Sequence, residues 1–158
     1  MLKQILIAAA MAGVAAPAMA QERVAIGTGG TGGVFYAVGA GMAEIINEHL
    51  DGVTANAEVT GASIENIRRV SMGEMTIGFS SASTLYAGAH GEEPFDEVQN
   101  VAAIAYLYPA VLQIAASDGA GVLSIEDLAN VAVGIGPPGS NSSVISERLL
   151  TAYDAFNI

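Results

Sequence analysis

The chain has 158 residues, of which 52% are hydrophobic and 13% charged, and its formal net charge is −11. That balance suits a packed core and excludes a disordered chain, while the acid excess makes nucleic acid and anionic membrane surfaces poor partners. No cysteine is present, which excludes disulfides, thiol catalysis and thiolate metal sites.

Residues 1–20 read as an export signal. Lys3 gives the positive start, Ile5 to Ala16 the apolar stretch, and Ala18-Met19-Ala20 the small-x-small cleavage site. The apolar run is short for a membrane span and ends at a cleavage site. Gln21 follows, where a lipid anchor would need cysteine. The expectation is a periplasmic protein, cleaved after Ala20 and free of the membrane.

Val24 to Ile26 is apolar and reads as a strand. Gly27-Thr28-Gly29-Gly30-Thr31-Gly32-Gly33 follows, and Val34 opens a helix running to about Leu50. Phe35, Val38, Met42, Ile45 and His49 recur at steps of three and four, which predicts its buried stripe. Asn47 and Glu48 fall off that stripe. A strand, a glycine loop and a helix N-terminus together make an anion cradle, because the loop carries little bulk and the first helical amides are unpaired.

Ala55 to Val59 reads as a second strand, parallel to the first. Ser63 is the expected N-cap of a helix over Ile64 to Met72, closed by Gly73. Thr76 to Ser80 reads as a third strand, followed by a short helix to about Ala89. Residues 90–100 form a polar loop. Val101–Leu107, Val111–Ser117 and Val131–Ile135 read as strands. Ser124-Ile125-Glu126-Asp127 has capping-box spacing. Gly136-Pro137-Pro138-Gly139-Ser140-Asn141-Ser142 is a second glycine loop. The last helix is expected from about Ser143, with Ile145, Leu149, Ala152 and Phe156 on one face.

Strand, small-residue turn and helix thus recur after Ile26, Val59, Phe79 and Ile135. In open parallel sheets such turns gather at the carboxyl edge, where ligands bind. Three chemistries compete for them. Gly27-x-Gly29-x-x-Gly32 matches a dinucleotide fingerprint, and Glu58 ends the next strand where a ribose-binding acid would stand. Gly78-Phe79-Ser80-Ser81-Ala82 approaches a hydrolase elbow, but His90 is the only downstream histidine. An anion-binding crevice is the third reading. A merely structural glycine turn stands beside all three. Arg68 and Arg69 form the only adjacent cationic pair, on a solvated helix face or against an anionic ligand or partner. Tyr36, Tyr106 and Tyr108 flank turns and suit either core packing or an apolar ligand surface. His49 and His90 are isolated, so no metal site is expected.

Residues 26–36 (IGTGGTGGVFY), 59–66 (VTGASIEN), 72–79 (MGEMTIGF), 107–109 (LYP) and 133–140 (VGIGPPGS) occur in an order that resembles the TAXI-type solute receptors of tripartite ATP-independent periplasmic (TRAP) transporters. The resemblance implies an α/β periplasmic binding protein fold of the second type, without catalysis or cofactor. It implies a monomer that holds a small anionic solute, an amino acid such as glutamate or a dicarboxylate, and delivers it to a membrane permease. Ligand contacts carried over fall on Thr31, Gly32, Gly33, Tyr36, Ser63, Asn66, Ser80, Ser81, Gly139, Ser140 and Asn141. Ser81-Ala82-Ser83 departs from the amide or acid often found there in relatives. Against the family's usual length the chain reads as truncated. Residues 21–111 would form the first lobe, and 112–158 a crossover strand with the beginning of the second.

Overall fold

A computed structural model describes residues 21–155. The expected export signal and Phe156 lie outside the described residues.

Three short parallel strands organise the N-terminal part. β1 (Glu22–Gly27) leads into helix α1 (Val34–His49), β2 (Val53–Glu58) into α2 (Ser63–Ser71), and β3 (Ile77–Gly78) into α3 (Ala82–His90). The sheet order is β2-β1-β3, with β1 paired to both neighbours in parallel register, Ile26 opposite Ala57 and Ile77. β1 is central because its apolar residues are enclosed from both sides, and Ile26 is fully buried. Ile26, Ala43, Ala55 and Phe79 form one core cluster, against which Phe35, Val38, Met42 and Ile46 of α1 pack.

The helix stripe therefore runs through Ile46. Ile45 is 59% exposed and His49 is also exposed, so both depart from the expected face. Steps of three and four fit either neighbour, and the packing direction decides between them. Asn47 has a structural use its off-stripe position did not suggest. Its Nδ2 donates to Ala55 O at 2.9 Å and its Oδ1 accepts from Ala55 N at 2.7 Å, closing the free edge of β2.

On α2 the N-cap is Ala62, one residue before the expected Ser63. Ala62 has no capping side chain and sits at φ 73°, a left-handed conformation that costs a non-glycine residue about 1–3 kcal/mol. Ser81 is a conventional cap for α3, its Oγ accepting from Thr84 N at 3.4 Å.

Beyond residue 100 the structure departs further from the sequence reading. Residues 101–107, 111–117 and 131–135 form no strands. A ladder needs a neighbouring strand, and among the described residues the backbone bonds of these stretches are local turns only, Val101 N to Gln99 O, Ala120 N to Ser117 O and Val131 N to Leu128 O. Their apolar side chains are correspondingly open, with Ile104 80% and Val111 72% exposed. The stretch at Ser124 is a 3₁₀ helix over Glu126–Asn130. Its capping box is half made: Asp127 Oδ2 accepts from Leu123 N and Ser124 N at 2.9 Å, and from Ser124 Oγ at 3.2 Å. The two backbone donors, then the hydroxyl, hold the Asp127 carboxyl below the usual carboxylate range.

Helix α4 (Asn141–Ala152) is capped by Ser140, whose Oγ accepts from Ser143 N at 3.2 Å. Its buried apolar residue is Leu150, packed with Leu128 and Ala155, whereas Ala152 is exposed. A separate cluster joins the two regions: Ile64, Ile67, Ala87 and Phe95, with Val144 of α4 against them.

The polar centre of the sheet is Asn66. It is fully buried, its Nδ2 donates to Thr28 O and Phe79 O at 2.8 Å each, and its Oδ1 accepts from Thr60 Oγ1 at 2.7 Å. Asn66→Ala strands two buried carbonyls and a hydroxyl, and should lower unfolding free energy by about 3 kcal/mol. Urea denaturation checks this, and a loss below about 1 kcal/mol would show that the carboxamide is dispensable.

Candidate functional site

Each strand ends in a turn that runs into a helix, and Asn66 touches all three turns. Thr28 follows β1, Thr60 follows β2 and Phe79 follows β3. Thr28 N and Thr28 Oγ1 both donate to Glu58 O, at 3.0 and 2.7 Å, which locks the first turn to the second. Ser81 N donates to Ser63 Oγ at 3.2 Å, which locks the third to the second. The loops at 27–33, 60–63 and 80–83 are thus tied together at the carboxyl edge of one parallel sheet. A fourth segment joins them. Gly139 O accepts from Ile64 N at 3.3 Å, and Asn141 Oδ1 accepts from Ser83 Oγ at 3.2 Å and Thr84 Oγ1 at 3.4 Å.

The candidate ligand residues fall into two groups here. Ser63, Asn66 and Ser140 are buried and bonded to nearby backbone, Ser63 Oγ to Ser81 N, Asn66 Nδ2 to Thr28 O and Phe79 O, and Ser140 Oγ to Ser143 N, so they position the turns. Thr31, Gly32 and Gly33 are exposed, and Tyr36, Ser80 and Ser81 are half-buried, so they remain accessible at the carboxyl edge of the sheet. Gly139 and Asn141 already turn oxygens toward the first turns of α2 and α3. Thr28, Thr60, Ser83 and Thr84 belong to the same network and were not singled out in the sequence. Their signal was only that each is a hydroxyl residue at a strand end or helix start.

The glycines of the first loop differ in why they are glycine. A Cβ at Gly27 would stand 2.5 Å from Met75 Sδ and 2.6 Å from Asn66 Oδ1, so packing requires glycine there. A Cβ at Gly30 or Gly32 would meet nothing within 4 Å, and neither residue has a positive φ. Neither packing nor conformation requires glycine at 30 or 32, and both leave backbone open to an approaching molecule. The N-cap of α1 is Gly33, with no side chain over the first amides.

Charges at the rim oppose an anion unless they are neutralised. Arg69 does part of this, bonding Glu58 at 2.9 Å, Glu74 at 3.4 Å and Glu65 at 3.5 Å. Burial lowers its pKa, but the hydrogen bond and charge of Glu58, with Glu65 and Glu74, outweigh this and leave it raised. Glu65 Oε2 also accepts from Gly61 N at 2.7 Å. Arg69 therefore serves the chain's own carboxylates, and Glu58 is not a free acid for a ribose. His90 ends α3, stacked on Tyr86 with centroids 4.0 Å apart, and takes no part in a serine site. Among the described residues no cluster of His, Cys, Asp or Glu suits a metal ion.

A family model described as the NMT1-like family matches residues 26–157. The match covers every turn described above and begins at Ile26, in the central strand.

The two kinds of glycine give separable variants. Gly27→Ala should cost about 2 kcal/mol or more, because Asn66 cannot yield without losing its bonds. Gly32→Ala should change stability by less than about 0.5 kcal/mol. Urea midpoints of the two proteins make the comparison, and equal losses would contradict the packing described.

Proposed function

This chain belongs to the NMT1-like family, and on that premise we propose that it is the extracytoplasmic solute receptor of a TRAP transporter, of the TAXI type. The family fits a periplasmic binding protein-like pattern and a substrate-binding role. The α/β architecture with its parallel three-stranded sheet agrees with that pattern. In the proposed reading the leader is cleaved after Ala20 and the mature monomer is free in the periplasm. It captures a small carboxylate, an amino acid such as glutamate or a dicarboxylate, and hands it to the membrane permease.

The observation that supports this reading most is the meeting of three strand-to-helix turns around Asn66, with open glycines in the first. Gly33 N and Tyr36 N are already bonded, to Gly30 O at 2.9 Å and Gly33 O at 3.2 Å, so at the start of α1 the amides of Val34 and Phe35 carry the partial positive charge that suits a carboxylate. They add no side chain that would need desolvation. With net charge −11 and three glutamates at Arg69, a carboxylate is held only where several donors act at once. Each charged hydrogen bond contributes about 1.5–3 kcal/mol. Thr31, Gly32, Gly33, Tyr36, Ser80 and Ser81 are the proposed contacts. Ser63, Asn66 and Ser140 hold their backbone in place, and Gly139 and Asn141 close the crevice from the second loop. The dinucleotide reading has no such support, because Glu58 is committed to Arg69.

A melting screen of the chain against amino acids, dicarboxylates and NAD tests the proposal. A subset of carboxylates should raise the melting temperature, with a gain of about 2.7 kcal/mol at a hundredfold excess over Kd. Thr31→Val should leave the unliganded midpoint unchanged and reduce that gain by about 1.5 kcal/mol or more. Stabilisation by NAD, or by no carboxylate at all, would contradict it.

A further inference from the structure

Arg68 and Arg69 are adjacent in sequence but differ in what holds them. Arg69 is surrounded by three glutamates, whereas Arg68 forms no ion pair among the described residues. Neutral groups fix its guanidinium instead. Nη2 donates to Pro94 O at 2.8 Å, and Cζ lies 5.5 Å from the centre of the Phe95 ring. A groove of about 530 Å³ opens beside it, between α2 and α4. Glu147 of α4 lines the same groove and also forms no ion pair, its Oε1 accepting from Ser143 Oγ at 2.9 Å. Ile64, Ile135, Pro138 and Val144 supply apolar lining.

We propose that this groove is a second binding site, distinct from the crevice, for a small zwitterion with an apolar body. Arg68 takes the carboxylate and Glu147 the ammonium. Both side chains are already held by one neutral hydrogen bond, and both keep unused capacity: further N–H donors on Arg68, a second oxygen on Glu147. Opposite charges that line one groove without pairing complement the two charged groups of one molecule. The apolar lining suits the side chain beside those groups. A zwitterion has no net charge, so the chain's −11 does not repel it as it repels a simple carboxylate. The volume falls within the roughly 300–1,000 Å³ of small-molecule sites. The inference does not rest on the crevice or on the TRAP reading.

The test is an amide chemical-shift titration of the full chain with L-leucine, and with isocaproate and isoamylamine, which each keep one charge. L-leucine should move the amides of Gly136, Ser143 and Val144 at millimolar concentration, and each single-charge analogue should bind more weakly. Arg68→Gln and Glu147→Gln should each weaken L-leucine binding about three- to fivefold, as expected for exposed ion pairs. The double exchange Arg68→Glu with Glu147→Arg should restore binding, with the ligand reversed, which a structural role for either side chain would not do. Unmoved amides, equal binding of isocaproate and L-leucine, or indifference to the single substitutions would overturn the proposal. Shifts at Gly30 to Gly33 and Ser81 instead would place the ligand in the crevice and overturn it equally.

Discussion

One side-chain carboxamide holds the working edge of this protein together. Asn66 spends two N–H donors and its oxygen on the turns that follow β1, β3 and β2. Inside a protein such a network is electrostatically strong when satisfied and costly when broken. Its position in the first turn of α2 follows from the strand-helix-strand rhythm, which starts that helix at the carboxyl ends of the strands. Gly27 and Gly78 make room for it, since a Cβ at either would press on Asn66. The turns are therefore set by a buried amide and two missing side chains. Whatever binds at the edge meets backbone that is already in place.

Around that centre the sheet edge is built from small hydroxyl residues. Thr28 and Thr60 share Asn66 as a partner, Ser63 bonds Ser81 and Ser81 bonds Thr84, while Arg69 gathers the nearby glutamates. The strained Ala62 lies in the same place, held by Thr60 Oγ1 on its N–H at 3.0 Å. Strain, buried hydroxyls and open glycines within a few residues mark a surface built for contact rather than for stability alone. The region after residue 120 has its own small core at Leu128, Leu150 and Ala155. It meets the sheet region through Val144, Gly139 and Asn141. Two cores with so narrow a join are free to change their spacing more easily than one continuous core.

Much of the sheet region was legible in the sequence, because local chemistry and final environment agree there. The run from Val24 to Ile26, the glycine loop and the apolar periodicity after Val34 each point to the element that forms. Asn66 was visible only as a carried-over ligand contact. A sequence does not show that a polar residue lies under three turns rather than in front of them. Arg69 was ambiguous for a similar reason: its three acids are spread over positions 58, 65 and 74. Stretches 101–107, 111–117 and 131–135 have strand composition but no ladder. β propensity describes how a side chain fits a pleated neighbour, and the neighbour is not encoded in the stretch itself. At Ile45 and Ile46 the periodicity was right and the choice of face was off by one residue.

The central claim is that backbone amides at the Asn66-linked turns, more than any charged side chain, grip the solute. A structure of the chain with the carboxylate that stabilises it most in solution addresses this most directly. The account predicts solute oxygens about 2.7–3.2 Å from the amide nitrogens of Gly30 to Gly32, Val34 and Phe35, and of Ala82 and Ser83 at the start of α3. A solute seated elsewhere, or held by arginine with those amides facing water, would contradict it.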